Sequence, residues 1–295
     1  GGVTSEGVSP TSMAYITLGW ESTLASNIGI DFNVLSGRIT GAIEYYDMNT
    51  KDLLLSSQIP NMTGYSTFTT NVGSVNNKGV EISLNTMNVK TGGFVWGTTF
   101  TFAKNNNKIT DLMDIDGDGK GDDDPSNRRF IGKPMFSYLD YVWDGIWQVG
   151  DDMTMDPGAK AGFVKFKDVS GPDGVPDGKI DPLDRQVLPS SLPDFTAGMT
   201  NTFTYKGVTL SVLFYTSQGG KASNSWINPG TNFYARLNQL DLPYWTPENP
   251  LKDRPSVGYP NPKGYGFYED RSFIRLLDIS LSFEFPKSLI AKADL

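Results

Sequence analysis

Residues 28–47 read IGIDFNVLSGRITGAIEYYD. In the first half Ile28, Ile30, Phe32 and Val34 alternate with Gly29, Asp31 and Asn33. In the second half Ile39, Ile43 and Tyr45 share one side, and Arg38, Thr40, Glu44 and Tyr46 the other. A period of two is that of a β-strand, whose successive side chains point to opposite faces. Ser36-Gly37 between the two runs is a tight-turn pair. The stretch is predicted as a β-hairpin with one apolar and one polar face.

The pattern recurs outward from this hairpin. Val80, Ile82 and Leu84 alternate with Glu81, Ser83 and Asn85. Beyond a Thr91-Gly92-Gly93 turn, Phe94, Trp96, Phe100 and Phe102 stand against Thr99, Thr101 and Ala103. Phe195, Ala197, Met199, Phe203 and Tyr205 alternate with threonines 196, 200, 202 and 204. A Lys206-Gly207 turn leads to Val208, Leu210, Val212 and Phe214, set against Thr209, Ser211 and Tyr215. Last, Phe273, Leu277, Ile279, Leu281, Phe283 and Phe285 alternate with Asp278, Ser280, Ser282 and Glu284.

The connections separate a membrane reading from a soluble one. Short turns follow Leu35, Asn88 and Tyr205, whereas stretches of roughly 49–77, 105–193 and 218–271 are long loops. Short turns at one end and long loops at the other are the habit of outer-membrane barrels, with periplasmic turns and extracellular loops. Charges such as Arg38, Glu44 and Glu81 on the polar faces suit a wet or plugged lumen and would be costly in a sandwich core. The competing reading is a soluble Greek-key or jelly-roll domain. The fold class expected is all-β, a segment of a large antiparallel transmembrane β-barrel occupying residues 1–295.

Composition bounds the chemistry. The chain has 295 residues, 38% hydrophobic and 20% charged, with a formal net charge of −8. That balance argues against nucleic acid as a partner, since phosphate binding needs a basic face. No run is long and apolar enough for a membrane helix, but barrel strands of about 9–11 alternating residues escape such a scan. Histidine and cysteine are both absent. Their absence removes imidazole acid–base catalysis, catalytic triads and His- or Cys-ligated zinc. No pair of carboxylates stands out as an acid and a base, so no enzyme is expected. The opening GGVTSEGVSP has neither the basic nor the apolar region of a leader. An outer-membrane protein should carry one, so cleavage or an internal fragment is expected.

Several motifs resemble one family. Asn71-Val-Gly-Ser-Val-Asn-Asn-Lys-Gly-Val-Glu-Ile82 resembles a signature of SusC/RagA-type TonB-linked outer-membrane proteins. So do Asn27-Ile-Gly-Ile-Asp-Phe32 with Arg38, and Tyr45-Tyr-Asp-Met-Asn-Thr-Lys-Asp-Leu-Leu-Leu55. Gly132-Lys-Pro134 with Asp144-Gly-Ile-Trp147 is similar to the same family. Asp177-Gly-Lys-Ile-Asp181 with Asp184-Arg185 and Pro193-Asp-Phe195, then Phe273-Ile-Arg-Leu276 and Phe285-Pro-Lys-Ser-Leu289, follow in family order. The resemblance implies a 22-stranded barrel with a plug, energy from TonB, and a SusD-like lipoprotein over the extracellular mouth. It implies import of an oligosaccharide, or in some members a peptide, across the outer membrane of a Gram-negative bacterium. Plug, TonB box and closing strands are not recognisable here, so the chain is expected to be a C-terminal-half piece of the wall. The alternative function is a secreted, calcium-stabilised, β-rich glycan-binding or adhesin module.

Three groups of residues are candidates for binding. In Asp114-Ile-Asp-Gly-Asp-Gly-Lys-Gly-Asp122, the residues Asp114, Asp116, Asp118 and Asp122 fall at positions 1, 3, 5 and 9 of an EF-hand-like loop, with Gly119 at 6. Position 12 is Pro125, so the loop lacks its bidentate Glu. In the second group Asp173, Asp177, Asp181 and Asp184 fall at 1, 5, 9 and 12, with Val175 breaking position 3 and Asp168 and Ser170 upstream as substitutes. Both point to Ca²⁺, and both equally suit solvated Asp-Gly turns. The third group is the loop aromatics Trp143, Trp147, Trp226, Tyr234, Tyr244, Trp245, Tyr259, Tyr265 and Tyr268. Flat rings with polar tips stack on sugar faces, although small loop cores use them too. Trp226, Trp245 and Tyr244 are the cargo-binding candidates, with Asn224, Asn228 and Asn249 alongside for hydroxyls.

Overall fold

The computed structural model describes residues 18–58, 65, 67–171, 173–227 and 241–285. Among these residues fifteen strands run in chain order. The first six are β1 (Ser22–Val34), β2 (Ile39–Lys51), β3 (Leu54–Gln58), β4 (Thr67–Asn71), β5 (Ser74–Thr91) and β6 (Phe94–Asp111). Then come β7 (Tyr138–Tyr141), β8 (Trp143–Ile146), β9 (Val164–Phe166), β10 (Arg185–Leu188), β11 (Phe195–Tyr205), β12 (Val208–Gln218), β13 (Lys221–Ser223), β14 (Tyr268–Asp270) and β15 (Phe273–Phe283). The chain divides into two compact units. One comprises Gly1–Met135, Pro193–Gln218 and Ser272–Leu295; the other comprises Phe136–Leu192 and Gly219–Arg271.

The first unit is a wall. Seven strands pair antiparallel in the order β1-β2-β5-β6-β11-β12-β15. Residues paired across antiparallel strands share a face, so the register sorts the side chains. One row crosses all seven strands as Phe32, Gly41, Leu84, Phe100, Met199, Phe214 and Leu276. The next residue along each strand gives the opposite face: Asn33, Thr40, Asn85, Thr99, Thr200, Leu213 and Asp278. The first face is apolar and the second almost wholly polar, as the alternation requires. Ile30, Ile43, Met199, Phe214, Leu276 and Leu281 are all exposed on the apolar face. So broad an apolar surface is foreign to a soluble monomer and native to lipid contact.

The turns obey the geometry of tight hairpins. Gly92 and Gly93 have φ of +52° and +83°, and Lys206 and Gly207 have +47° and +86°. Positive φ at both central residues matches the twist of the strands they join. At the first hairpin the Arg38 guanidinium donates to the carbonyls of Met87 and Asn88, at 3.2 and 2.9 Å from Nη2. Those carbonyls lie at a bulge between Met87 and Val89, where ladder partners are displaced.

The strands outrun the sequence reading. β5 and β6 each have 18 residues, about 60 Å of strand at ~3.3 Å per residue. Tilted by 35–45°, they rise roughly 45 Å, well beyond the apolar band of about 25 Å. Their far ends, Asn76–Gly79 and Lys104–Lys108, are polar on both faces, as strands standing in water should be. β6 thus runs to Asp111, inside the 105–193 stretch, and β3 pairs with β4 inside the 49–77 stretch. Val75, Ile109 and Leu112 form a small buried core there, with Leu53, Leu55 and Met135 packed on it.

One face assignment is corrected. The β12–β15 register shifts so that Leu213 pairs with Asp278 but Phe214 with Leu276. Leu277 is the extra residue of a bulge. Ile274 and Leu276 therefore join the apolar face, and Phe273 moves to the polar face with Arg275.

The second unit collects most of the two longer loop stretches into a body with its own core. Tyr141, Ile146, Val164, Phe166, Ile180, Trp245, Tyr259, Tyr265 and Phe267 are buried together. Short ladders β7–β10, β8–β9 and β13–β14 frame it.

Candidate functional site

The aromatic residues of this body hold one another in fixed poses. Tyr265 lies at ring-centroid distances of 5.7 Å from Trp143, 5.3 Å from Phe267 and 5.6 Å from Tyr268. Asp140, buried in β7, anchors them from below. Its Oδ2 accepts from the Tyr268 hydroxyl at 2.8 Å and from the Gly266 amide at 3.0 Å. Burial, aided by the Asp140 charge, pushes the Tyr265 hydroxyl up to about 12. Burial, with Asp156 and Asp140 nearby, raises Tyr259 further. Both phenols therefore stay protonated at any physiological pH. A second buried carboxylate, Asp156, is met by Lys263 at 3.1 Å, and Lys263 also donates to the Ile180 carbonyl.

These rings wall a pocket of about 350 Å³, lined by Trp143, Tyr265, Phe267 and Tyr268 with Ile227 and the polar Asp253, Arg254 and Glu269. The volume and the mixture of aromatic wall and few polar groups are those of a small-ligand site. The Asn224 amide donates to the Glu269 carboxylate at 2.6 Å, which puts Asn224 at the rim. Trp226 is about half exposed, and its backbone N–H donates to Asn224 Oδ1. Trp245 is in the core instead, with Nε1 donating to Gln148 at 3.0 Å. Its neighbour Tyr244 is exposed, and Asn249 turns back to hydrogen-bond Thr246. Asn228 and Tyr234 lie outside the described residues, as do residues 286–289 of the last family motif. Phe267, Asp140 and Arg254 had no signal in the sequence, because what marks them is three-dimensional packing.

In the first acidic loop Asp114, Asp116 and Asp122 bring carboxylate oxygens within 4.8 Å of one another. Gly117 and Gly119, at φ +81° and +87°, make the sharp turns. Both Asp114 oxygens accept backbone N–H groups, from Gly117 and Gly119. Asp118 accepts from Lys120 N–H and stands outside the close set. In the second loop Asp173, Asp177, Asp181 and Asp184 form no such set among the described residues. Asp184 is fully buried, and its oxygens accept from Val169, Ser170 and Asp181 amides. Asp181 caps the short 3-10 turn Pro182–Asp184 reciprocally. Asp177 accepts from Lys179 N–H, and Asp173 is exposed. For Asp177, Asp181 and Asp184 these are capping and turn contacts.

A family model described as "TonB dependent receptor-like, beta-barrel" matches residues 3–289. The chain belongs to the TonB-dependent receptor β-barrel family. TonB-dependent receptor P26 of Formosa agariphila is 34% identical over 91% of the chain. TonB-dependent receptor SusC of Bacteroides thetaiotaomicron is 31% identical over 66% of it. The chain spans 28% of the length of the first receptor and 19% of SusC. Among solved structures, that of the RagAB peptide transporter superposes with a TM-score of 0.72 at 23% identity, over 92% of this chain and 30% of that one. The SusC/RagA resemblance read from the motifs thus holds, and this receptor segment is a multi-pass β wall of the outer membrane. A secreted module and a soluble Greek key are both set aside. These relatives are receptors and a transporter rather than enzymes, in keeping with the expectation of no catalysis.

Proposed function

We propose that the chain is part of the barrel of a TonB-driven importer whose cargo is an oligosaccharide, assisted at the extracellular mouth by a SusD-like lipoprotein. The aromatic pocket carries the cargo reading: rigid Trp and Tyr faces beside carboxylate and amide groups match the apolar faces and hydroxyls of sugars. Kinship with SusC supports transport and the lipoprotein partner. Deleting the full-length receptor in its host should abolish growth on an oligosaccharide as sole carbon source and spare growth on the monosaccharide. Loss of growth on peptides alone, with oligosaccharide use intact, would transfer the reading to peptide cargo, the class for which the RagAB peptide transporter is named. Affinity capture of the receptor from membranes should bring a surface lipoprotein with it.

For the first acidic loop we propose Ca²⁺ held by Asp114, Asp116 and Asp122. Three carboxylates so close repel unless a cation offsets them, and oxygen ligands on a glycine-turned loop suit a hard ion in the weak extracellular range. Calorimetric titration of the detergent-solubilised receptor should show heat that Asp116→Asn removes. No heat, and no change on chelation, would end this proposal.

A further inference from the structure

Arg254 is the unexplained group of the pocket. It lines the cavity with the four rings. Its Nη1 is sealed from solvent and has no hydrogen-bond partner. No carboxylate lies within ion-pair distance of it among the described residues. Of the two pocket acids, Glu269 is already engaged by Asn224, and Asp253 is exposed. Buried guanidinium donors are normally satisfied, because an orphan donor loses its hydration without compensation. Arg254 as a whole is only partly buried and lines the pocket, so an acceptor arriving there meets its side chain. A turn of the guanidinium toward that acceptor gives Nη1 the partner the fold leaves out.

The chemistry of that acceptor follows from its surroundings. Guanidinium pairs best with a planar, bidentate carboxylate. The aromatic wall asks for a flat apolar face next to that carboxylate. The rim carboxylates would repel a bare anion but accept hydrogen bonds from hydroxyls. A ring with one carboxylate and several hydroxyls meets all three demands. We infer that the Arg254 pocket is a subsite for an acidic sugar unit, with the sugar carboxylate on Arg254, the ring face on Trp143 and Tyr265, and hydroxyls toward Glu269 and Asp253. This rests on the oligosaccharide reading above and narrows it to a uronate-bearing cargo. The rings are already locked by Asp140 and by one another, so little ordering remains to be done on binding.

The test is calorimetry on the full-length receptor in detergent. The ligands are tri-galacturonate and a glucuronate-containing tetrasaccharide, each beside its carboxyl-reduced neutral form, with an acidic tripeptide as a further arm. At least one acidic glycan should bind roughly ten- to a hundredfold more tightly than its neutral form. Arg254→Gln should bring the acidic form's affinity down to that of the neutral form measured on the same variant, and a thermal midpoint no lower than the parent's shows that the variant folds. Equal affinity for acidic and neutral glycans, or an undiminished preference in Arg254→Gln, overturns the subsite and leaves oligosaccharide import standing. Binding of the tripeptide with no binding of any glycan overturns both.

Discussion

Ile43 and Thr200 put the two faces of the wall to a single-residue test. Ile43 pairs with Ile30 on one side and Ile82 on the other, inside the apolar face. Thr200 lies between Thr99 and Leu213 on the polar face. An arginine at position 43 would sit against hydrocarbon, and Ile43→Arg should cost about 2–4 kcal/mol near the midplane. Leu210→Arg, on the same face between Phe203 and Leu281, should behave alike. Thr200→Arg should cost much less, because a lumen-facing charge keeps its water. Thermal unfolding of the detergent-solubilised receptor measures the difference, and equal losses at the three positions would mean that the faces are reversed or mixed. This assignment was legible in the sequence because period two is a local signal. The orphaned Arg254 was not: in Lys-Asp-Arg-Pro it reads as an ordinary solvated loop residue, and only the fold shows that one nitrogen is sealed and unpaired.

Among the elements, the wall strands were legible and the body was not. Each strand announces itself by alternation within a dozen residues. The body's core gathers Tyr141, Ile146, Trp245 and Tyr265 into one cluster, from two stretches of chain far apart in sequence with no shared period, so its aromatics read only as decorated loops. The bulge in β15 stayed hidden for a different reason. Leu276 and Leu277 are both leucine, so the apolar pattern survives a slip of one residue. Two predictions belong to the body. Asp184 holds three backbone N–H groups in a dry site, and Asp184→Ala would orphan them at about 1–3 kcal/mol each. The variant should expose the 168–190 segment to protease while the wall stays resistant. A protease pattern unchanged from the parent would count against that role. The second concerns alkali. The folded body holds Tyr265 neutral to about 12 and Tyr259 beyond it, against 10 in the unfolded chain. Raised folded values mean that the stability from these phenols is intact below pH 10 and is lost as pH climbs toward 12. Tyrosinate absorbance of the receptor should show a late group that ionises only as the body's near-UV signal collapses. Reversible ionisation of every tyrosine near pH 10 with that signal intact would contradict the buried cluster.

For the whole molecule, the decisive fact is that β1 and β15 are the two ends of the sheet order. Each end carries a row of backbone N–H and C=O groups with no strand beyond it among the described residues. In hydrocarbon such groups have no water to turn to, which is why spanning sheets must close. The apolar face adds to the difficulty, since Ile28, Ile30, Ile279 and Leu281 on the edge strands are more than half exposed. Both features are tolerable only when further strands complete the wall and lipid covers its outside. The lengths of the relatives point the same way, for this segment spans less than a third of the first receptor. Residues 18–285 expressed alone should therefore refold poorly and associate through their edges, giving large particles by light scattering even in mild detergent. The full-length receptor should give one monodisperse species in the same detergent and precipitate when it is removed. A segment that stayed monomeric in detergent-free buffer would show that the apolar face is covered by the protein itself, and the barrel-wall account of its register would have to be given up.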